Sequence, residues 1–333
     1  MCTAIAFSAA HHCFGRNLDL EYTYDETVTV TPRRYPFHNR YLSPHSEHFA
    51  MIGIATVIDG YPLYYDAMNE HGLCMAGLNF VGNAVYQSFE VNQTNLCTFE
   101  LIPYLLGYFK TVEEIRDALK HIRILTTAFR NDLPASELHW MIADHKQSAV
   151  LECDKNGIHF YDAPIGVLTN NPPFPFQMQN LVSYRNLTAE ERQNRFCKSV
   201  ELPAYSRGMG ALGLPGDLSS TSRFVRASFV KCNSIRPSDP ISTVGQFFHI
   251  LSSVEQQEGC VRVGNAHERT QYSSCCDMDT GIYYYRTYEN SQICGVDLFR
   301  ESLDTDALRL YSLLLKQNVH MQTQYAEKSI YFL

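Results

Sequence analysis

The stretch Met1-Cys2-Thr3-Ala4-Ile5-Ala6-Phe7-Ser8 reads as a β-strand that carries a cysteine at its head. A second strand, Cys13-Phe14-Gly15-Arg16-Asn17-Leu18-Asp19, follows the polar tip Ala9-Ala10-His11-His12, so the chain opens as a β-hairpin. Cysteine at position two is small enough for an aminopeptidase to remove Met1, and the mature chain is expected to start at Cys2. A thiol and a free α-amine then share one carbon, with unperturbed pKa values of about 8.5 and about 7.7–8.0. Covalent geometry thereby puts a nucleophile beside a base, which suits nucleophilic catalysis. A hairpin symmetric about its tip sets Asp19 across from Cys2, where cross-strand Cβ atoms lie about 4.5–5.5 Å apart, so its carboxylate is expected to hold the α-ammonium. Arg16 is long enough to reach toward the thiol, and a cation there favours the thiolate. Arg16 and Asp19 have opposite parity, so both face Cys2 only if the chain bulges near Leu18. Taken alone, Cys2 is one thiol among 11; its neighbours make it a candidate.

The chain of 333 residues has no Gly-, Ser- or Pro-rich linker, no charge block and no internal repeat, which points to one domain over 1–333. A net charge of -8 disfavours nucleic acid as a partner, since that needs clustered Lys and Arg. No stretch approaches the roughly 20 apolar residues that span a bilayer. The apolar start lacks the basic region and cleavage site of a signal peptide. An odd number of cysteines without regular spacing reads as reduced thiols of the cytoplasm in a protein of bacterial type. The sequons at Asn92 and Asn186 then carry no sugar.

Strand patterns fill the first eighty residues, continuing with Thr27–Thr31, Ala50–Ile58, Leu63–Ala67 and Gly72–Asn79. Helices are expected over Thr98–Phe109 and Val112–Ile122, the latter entered through the capping box Thr111-Val112-Glu113-Glu114. Strands return at Leu138–Ala143, Ala149–Cys153 and Gly157–Tyr161. Helices fit Phe176–Tyr184, Arg223–Cys232 and Ile241–Val254, and the tail is β again at Thr270–Ser274, Gly281–Thr287 and Ile293–Phe299. This order predicts an α+β fold with helices packed on antiparallel sheets.

Several polar residues invite two readings. Asn79 ends a strand and Asn170 stands in Leu168-Thr169-Asn170-Asn171-Pro172; both have the look of turn residues. A side-chain amide is also a suitable donor to a developing oxyanion. Arg223 falls at a helix start, where the dipole disfavours a cation, so a specific partner is expected. Arg226 reads as a structural ion-pair former. Gly208-Met209-Gly210-Ala211-Leu212-Gly213 satisfies GxGxxG, but no suitable strand precedes it and Pro215-Gly216 breaks any helix. His11-His12-Cys13 and Cys275-Cys276 lack zinc-ligand spacing, so no metal is expected.

Met-Cys-Thr at the start and Phe-Gly-Arg-Asn-Leu-Asp at 14–19 resemble the choloylglycine hydrolase family, which contains bile salt hydrolases and penicillin V acylases. The resemblance continues, in order, through Asn69-Glu70-His71-Gly72-Leu73, Ala76-Gly77-Leu78-Asn79-Phe80, Val167-Leu168-Thr169-Asn170-Asn171-Pro172, Leu214-Pro215-Gly216-Asp217-Leu218-Ser219-Ser220 and Ser222-Arg223-Phe224-Val225-Arg226. It implies the four-layer αββα sandwich of N-terminal nucleophile hydrolases and a homotetramer. It also implies catalytic roles for Cys2, Arg16, Asp19, Asn79, Asn170 and Arg223, with Asn79 an oxyanion donor and Asn170 a donor to the substrate amide. Asparagine at Asn79, where penicillin V acylases tend to carry tyrosine, favours conjugated bile salts as substrate, with no cofactor and no metal. The alternatives are a penicillin V acylase, an acyl-homoserine lactone acylase or a noncatalytic binding protein on the same fold. Leu18, Leu20, Ile58 and the loop around Ala128–Pro134 are expected walls of an apolar acyl pocket. Ser206 and Arg207 are the residues that the resemblance connects with taurine conjugates; read alone, they belong to a solvated loop.

Overall fold

A computed structural model describes residues 1–43 and 46–323. The first part of the chain forms β1 (Cys2–Ser8), β2 (His12–Leu20), β3 (Thr27–Thr31), β4 (Met51–Ile58), β5 (Tyr61–Asn69), β6 (Cys74–Asn79) and β7 (Thr94–Cys97). Helices α1 (Leu101–Tyr108) and α2 (Val112–Ala118) follow, then β8 (Ile122–Leu125), β9 (Leu138–Ala143), β10 (Ser148–Asp154), β11 (Gly157–Asp162) and β12 (Val167–Leu168). Three helices, α3 (Phe174–Asn180), α4 (Ser220–Asn233) and α5 (Pro240–Ser252), precede β13 (Val261–Val263), β14 (Ala266–Asp277), β15 (Ile282–Thr287), β16 (Cys294–Asp297) and β17 (Arg309–Ser312).

The strands build two large sheets. One has the order β12-β1-β2-β14-β15-β16, with β13 added on β14; the other runs β11-β10-β9-β6-β5-β4-β3-β17. Apolar side chains from the facing sheets, Phe14 and Leu18 on one and Ile52, Met68 and Met141 on the other, share one core with Phe224, Phe247 and Leu251 of α4 and α5. A second core joins the outer face of the other sheet, through Trp140 and Ile142, to Leu101, Leu105 and Ile115 of α1 and α2. Helices, sheet, sheet and helices thus form the expected αββα sandwich, because each sheet buries both faces.

Local signals explain the helix entries. Thr111 Oγ1 accepts the amide of Glu114, while Glu114 reaches back to the amide of Lys110 rather than Thr111. Asp239 caps α5 through the amide of Ser242 and Pro240 occupies its first turn, where no amide donor is needed. Gly15 lets β2 approach β14: a Cβ there would lie 2.0 Å from the carbonyl oxygen of Ser274.

The hairpin register departs from the expectation by one residue. Ser8 pairs with His12 and Cys2 with Leu18, so the tip has three residues, 9–11, rather than four. Side chains on a strand alternate, and the shift puts Arg16 and Leu18 on the face of Cys2 and Asp19 on the opposite one. No bulge interrupts this pairing; the irregularity lies in β14, between Thr270 and Tyr272. The parallel pair β7–β8 was not expected, and the helix predicted to run to Ile122 ends in a 3-10 turn at His121. The two-residue strand β12, also unforeseen, borders β1 and so delivers the following Asn170 beside Cys2.

Candidate active site

Cys2 stands at the head of β1, 2% exposed, and lines a cavity of about 300 Å³. Arg16 and Asn79 line the same cavity, and so do Leu18, Leu20 and Ile58. Phe129, Leu133 and Pro134 from the anticipated loop join them, together with Tyr65, Phe99, Ile102 and Trp140, which local sequence did not single out. The result is a largely apolar chamber with a thiol, a cation and an amide in its lining, the composition of a ligand pocket.

Arg16 is fully buried and donates through Nη1 to the carbonyls of Tyr65 and Gly77. Its Nε and Nη2 have no hydrogen-bond partner among the described residues. Burial alone would lower its pKa; Cys2, Tyr272, Asp66 and Asp19 outweigh this and raise it. Asp66, which sequence reading passed over, is a buried carboxylate between the sheets. It accepts hydrogen bonds from Tyr272 Oη (2.6 Å), Tyr283 Oη (2.6 Å) and Ser274 Oγ (2.9 Å). Burial pushes its pKa up, against the pull of Arg16 and the three hydroxyls. Removing the negative charge leaves Arg16 with less compensation, so Asp66→Asn is expected to cost about 3 kcal/mol in a urea unfolding titration. An unfolding midpoint equal to wild type would show that Asp66 is not the counter-charge.

Behind β1 lies a second polar group. The backbone amide of Cys2 donates to Asn170 Oδ1 (2.7 Å), and Asn170 Nδ2 donates to the carbonyl of Asn79 (2.8 Å). Arg223, fully buried in the first turn of α4, donates to the carbonyl of Cys2 and the hydroxyl of Thr3, each at 2.6 Å, and to Asn170 Oδ1 (2.9 Å). Burial draws the Arg223 pKa down while Asp19 and Cys2 pull it upward. These partners are what the unfavourable cation at a helix start required. Arg226, by contrast, donates to the carbonyls of Ser253 and Pro215 and makes no ion pair among the described residues.

Two expected contacts take a different form. The Asp19 carboxylate accepts from Thr270 Oγ1 (2.6 Å) and Gln256 Nε2 (3.4 Å) and lies 3.9 Å from Arg223 Nη1. The one-residue register shift moves it off the face of Cys2, and Asn170 takes the main-chain nitrogen instead. Ser206 and Arg207 are exposed on the long loop before α4 and are not among the cavity-lining residues. His139 was also unforeseen: buried, stacked on Phe80 and 2.8 Å from the carbonyl of Thr169, it ties together the segments that carry Asn79 and Asn170.

A four-layer sandwich with a cysteine heading an inner strand defines an N-terminal nucleophile hydrolase fold. The same fold is found in penicillin V acylase from Agrobacterium tumefaciens, with a TM-score of 0.73 at 19% identity over 93% of this chain and 91% of that one. The chain belongs to the linear amide C-N hydrolases of the choloylglycine hydrolase family, whose model matches residues 2–311. It is 52% identical over 314 residues to the bile salt hydrolase/transferase of Lactiplantibacillus plantarum, covering 94% of this chain and 97% of that protein. The crystal structure of the C2A mutant of conjugated bile acid hydrolase from Clostridium perfringens matches with a TM-score of 0.90 at 34% identity, over 97% of this chain and 100% of that one. Among the described residues, no helix is long and apolar enough to cross a membrane.

Proposed function

We propose that this chain is a single-domain bile salt hydrolase of the cytoplasm that cleaves the amide between a bile acid acyl group and taurine or glycine. The observation that carries this reading is the cavity itself: Cys2, Arg16 and Asn79 line a largely apolar chamber suited to a sterol body. After removal of Met1, the Cys2 thiolate attacks the amide carbonyl carbon and the α-amine holds the thiol proton. The negative charge that develops on the carbonyl oxygen is met by the Asn79 side-chain amide, which makes no hydrogen bond to another described residue, and by main-chain amides. Collapse passes the proton to the leaving nitrogen, breaks the C–N bond and leaves a thioester. Water, deprotonated by the same α-amine, then releases the bile acid and restores the thiol.

The other residues support these groups. Arg16 places positive charge beside the thiolate. Arg223 anchors the main chain of Cys2, Asn170 accepts from its nitrogen, and Asp19 is expected to orient the α-amine once Met1 is removed. The Asp19 carboxylate also lies 3.9 Å from Arg223 Nη1. Release of taurine or glycine from conjugated bile salts, set against release of phenoxyacetate from penicillin V, tests the proposal. Faster turnover of penicillin V would replace it with the acylase reading.

Leaving-group preference is a finer part of the same reading. A sulfonate offers three acceptor oxygens to a guanidinium and a carboxylate two. Arg207 does not reach the cavity of its own chain, so its action on the substrate calls for a homotetramer in which the loop enters a neighbour's pocket. The expected result is a higher kcat/KM for taurine than for glycine conjugates of one sterol, with the ratio narrowed in Arg207→Ala. Equal values for the two conjugates, or a ratio unchanged in the variant, would leave Arg207 a solvated loop residue.

A further inference from the structure

We propose that His12, His145 and Asp279 form a surface site for a divalent transition metal ion, with zinc as its best-suited occupant. The three residues come from three separate segments of the chain. His12 opens β2 at the hairpin tip, Asp279 lies in the turn between β14 and β15, and His145 lies in the turn between β9 and β10 of the other sheet. Their ligand atoms all fall within 4.8 Å of one another. His12 Nδ1 is 3.1 Å from Asp279 Oδ2, and His145 Nε2 is 3.7 Å from Asp279 Oδ1. Two nitrogen or oxygen ligands about 2.0–2.1 Å from a tetrahedral zinc ion stand roughly 3.3–3.4 Å apart, so these separations bracket the required edge.

Hydrogen bonding alone does not account for the arrangement. The His145–Asp279 separation of 3.7 Å is too long for a hydrogen bond, yet it keeps the ring nitrogen close to the carboxylate oxygen. The two imidazoles meet edge to face, with ring centroids 5.2 Å apart, so both converge on the one carboxylate. The surroundings hold the ligands in place. Asp279 Oδ2 accepts the amide of His12 (2.6 Å), and the Asp279 amide donates to Asp277 Oδ1 (3.2 Å). Asp277 is buried and is fixed in turn by His11 Nδ1 at 2.8 Å. Such outer contacts orient ligands in metal sites. Gly72, with φ of +79°, makes room for the third ligand, since a Cβ there would lie 2.4 Å from His145 Cε1.

Three protein ligands at the surface leave a fourth position for water. Since His12 and Asp279 belong to one sheet and His145 to the other, a bound ion clips the two sheets together. The site lies at the far end of β1 from Cys2, six steps of about 3.4 Å or roughly 20 Å away, so it stabilises the sandwich without entering the reaction.

The test uses the full chain, stripped with a chelator and titrated with zinc chloride by calorimetry and thermal melting. Expected are one ion per chain and a rise in Tm of about 3–6 °C at a hundredfold excess over Kd. Replacing zinc by Co2+ should give visible absorption bands of a tetrahedral site. His145→Ala, at an exposed position, and Asp279→Asn should each abolish the Tm rise and the bands while retaining wild-type bile salt hydrolysis. No rise in wild-type Tm would overturn the proposal. So would a rise, or a cobalt spectrum, that persists unchanged in His145→Ala, because the ion would then be held elsewhere, such as by the thiols.

Discussion

Cys2→Ser is expected to fold with the wild-type melting temperature and to hydrolyse conjugated bile salts at least about a thousandfold more slowly. Serine fits the buried position of the thiol and preserves the main-chain bonds to Asn170 and Arg223, so stability has no reason to change. The hydroxyl, however, gives up its proton far less readily than the thiol. Retention of Met1 should be as damaging. In that form the nitrogen of Cys2 is a peptide amide without a basic lone pair. The Met1 ammonium sits instead between the carbonyl oxygen of Asp19 (2.7 Å) and Glu268 (2.9 Å). Intact mass of active enzyme should therefore lack Met1. Full activity from a chain that keeps Met1, or from Cys2→Ala, would refute the mechanism.

Asn79→Ala should lower kcat by about a hundred- to a thousandfold while KM changes little, a loss of roughly 3–4 kcal/mol in transition-state stabilisation. Asn79 lines the same cavity as Cys2, and its main-chain carbonyl is held in place by Asn170. A donor that acts on developing charge gains strength as the tetrahedral intermediate forms, so its removal appears in kcat. A variant with raised KM and unchanged kcat would make Asn79 a substrate contact rather than an oxyanion donor.

The strands of the hairpin and the lengths of most other elements were legible because they rest on short-range pattern. β1 runs over Cys2–Ser8, β3 over Thr27–Thr31 and β9 over Leu138–Ala143, each with the bounds its alternation predicted. The walls Leu18 and Leu20 were legible for a related reason: residues two apart on a strand share a face. Register was not legible. A tip of three or four residues reads alike in the polar run Ala9-Ala10-His11-His12, yet the difference decides which face Asp19 takes. The short strands β7, β8 and β12 were also missed, because two to four residues carry too little periodicity to distinguish from a loop or a helix end.

From the sequence by itself came the candidate nucleophile, the α+β class and, through the ordered motifs, the family. Those signals are local, or rest on similarity along the whole chain. Only the tertiary structure decided which polar groups touch. Cys2 meets Asn170 across 168 residues and Arg223 across 221, and Asp66 meets Tyr283 across 217. The same holds for the surface cluster, where His12 is expected to share an ion with His145 and Asp279 although no zinc-ligand spacing links them. The physical reason is common to all of these: strand pairing and sheet stacking bring together residues whose separation along the chain has no relation to their distance in space.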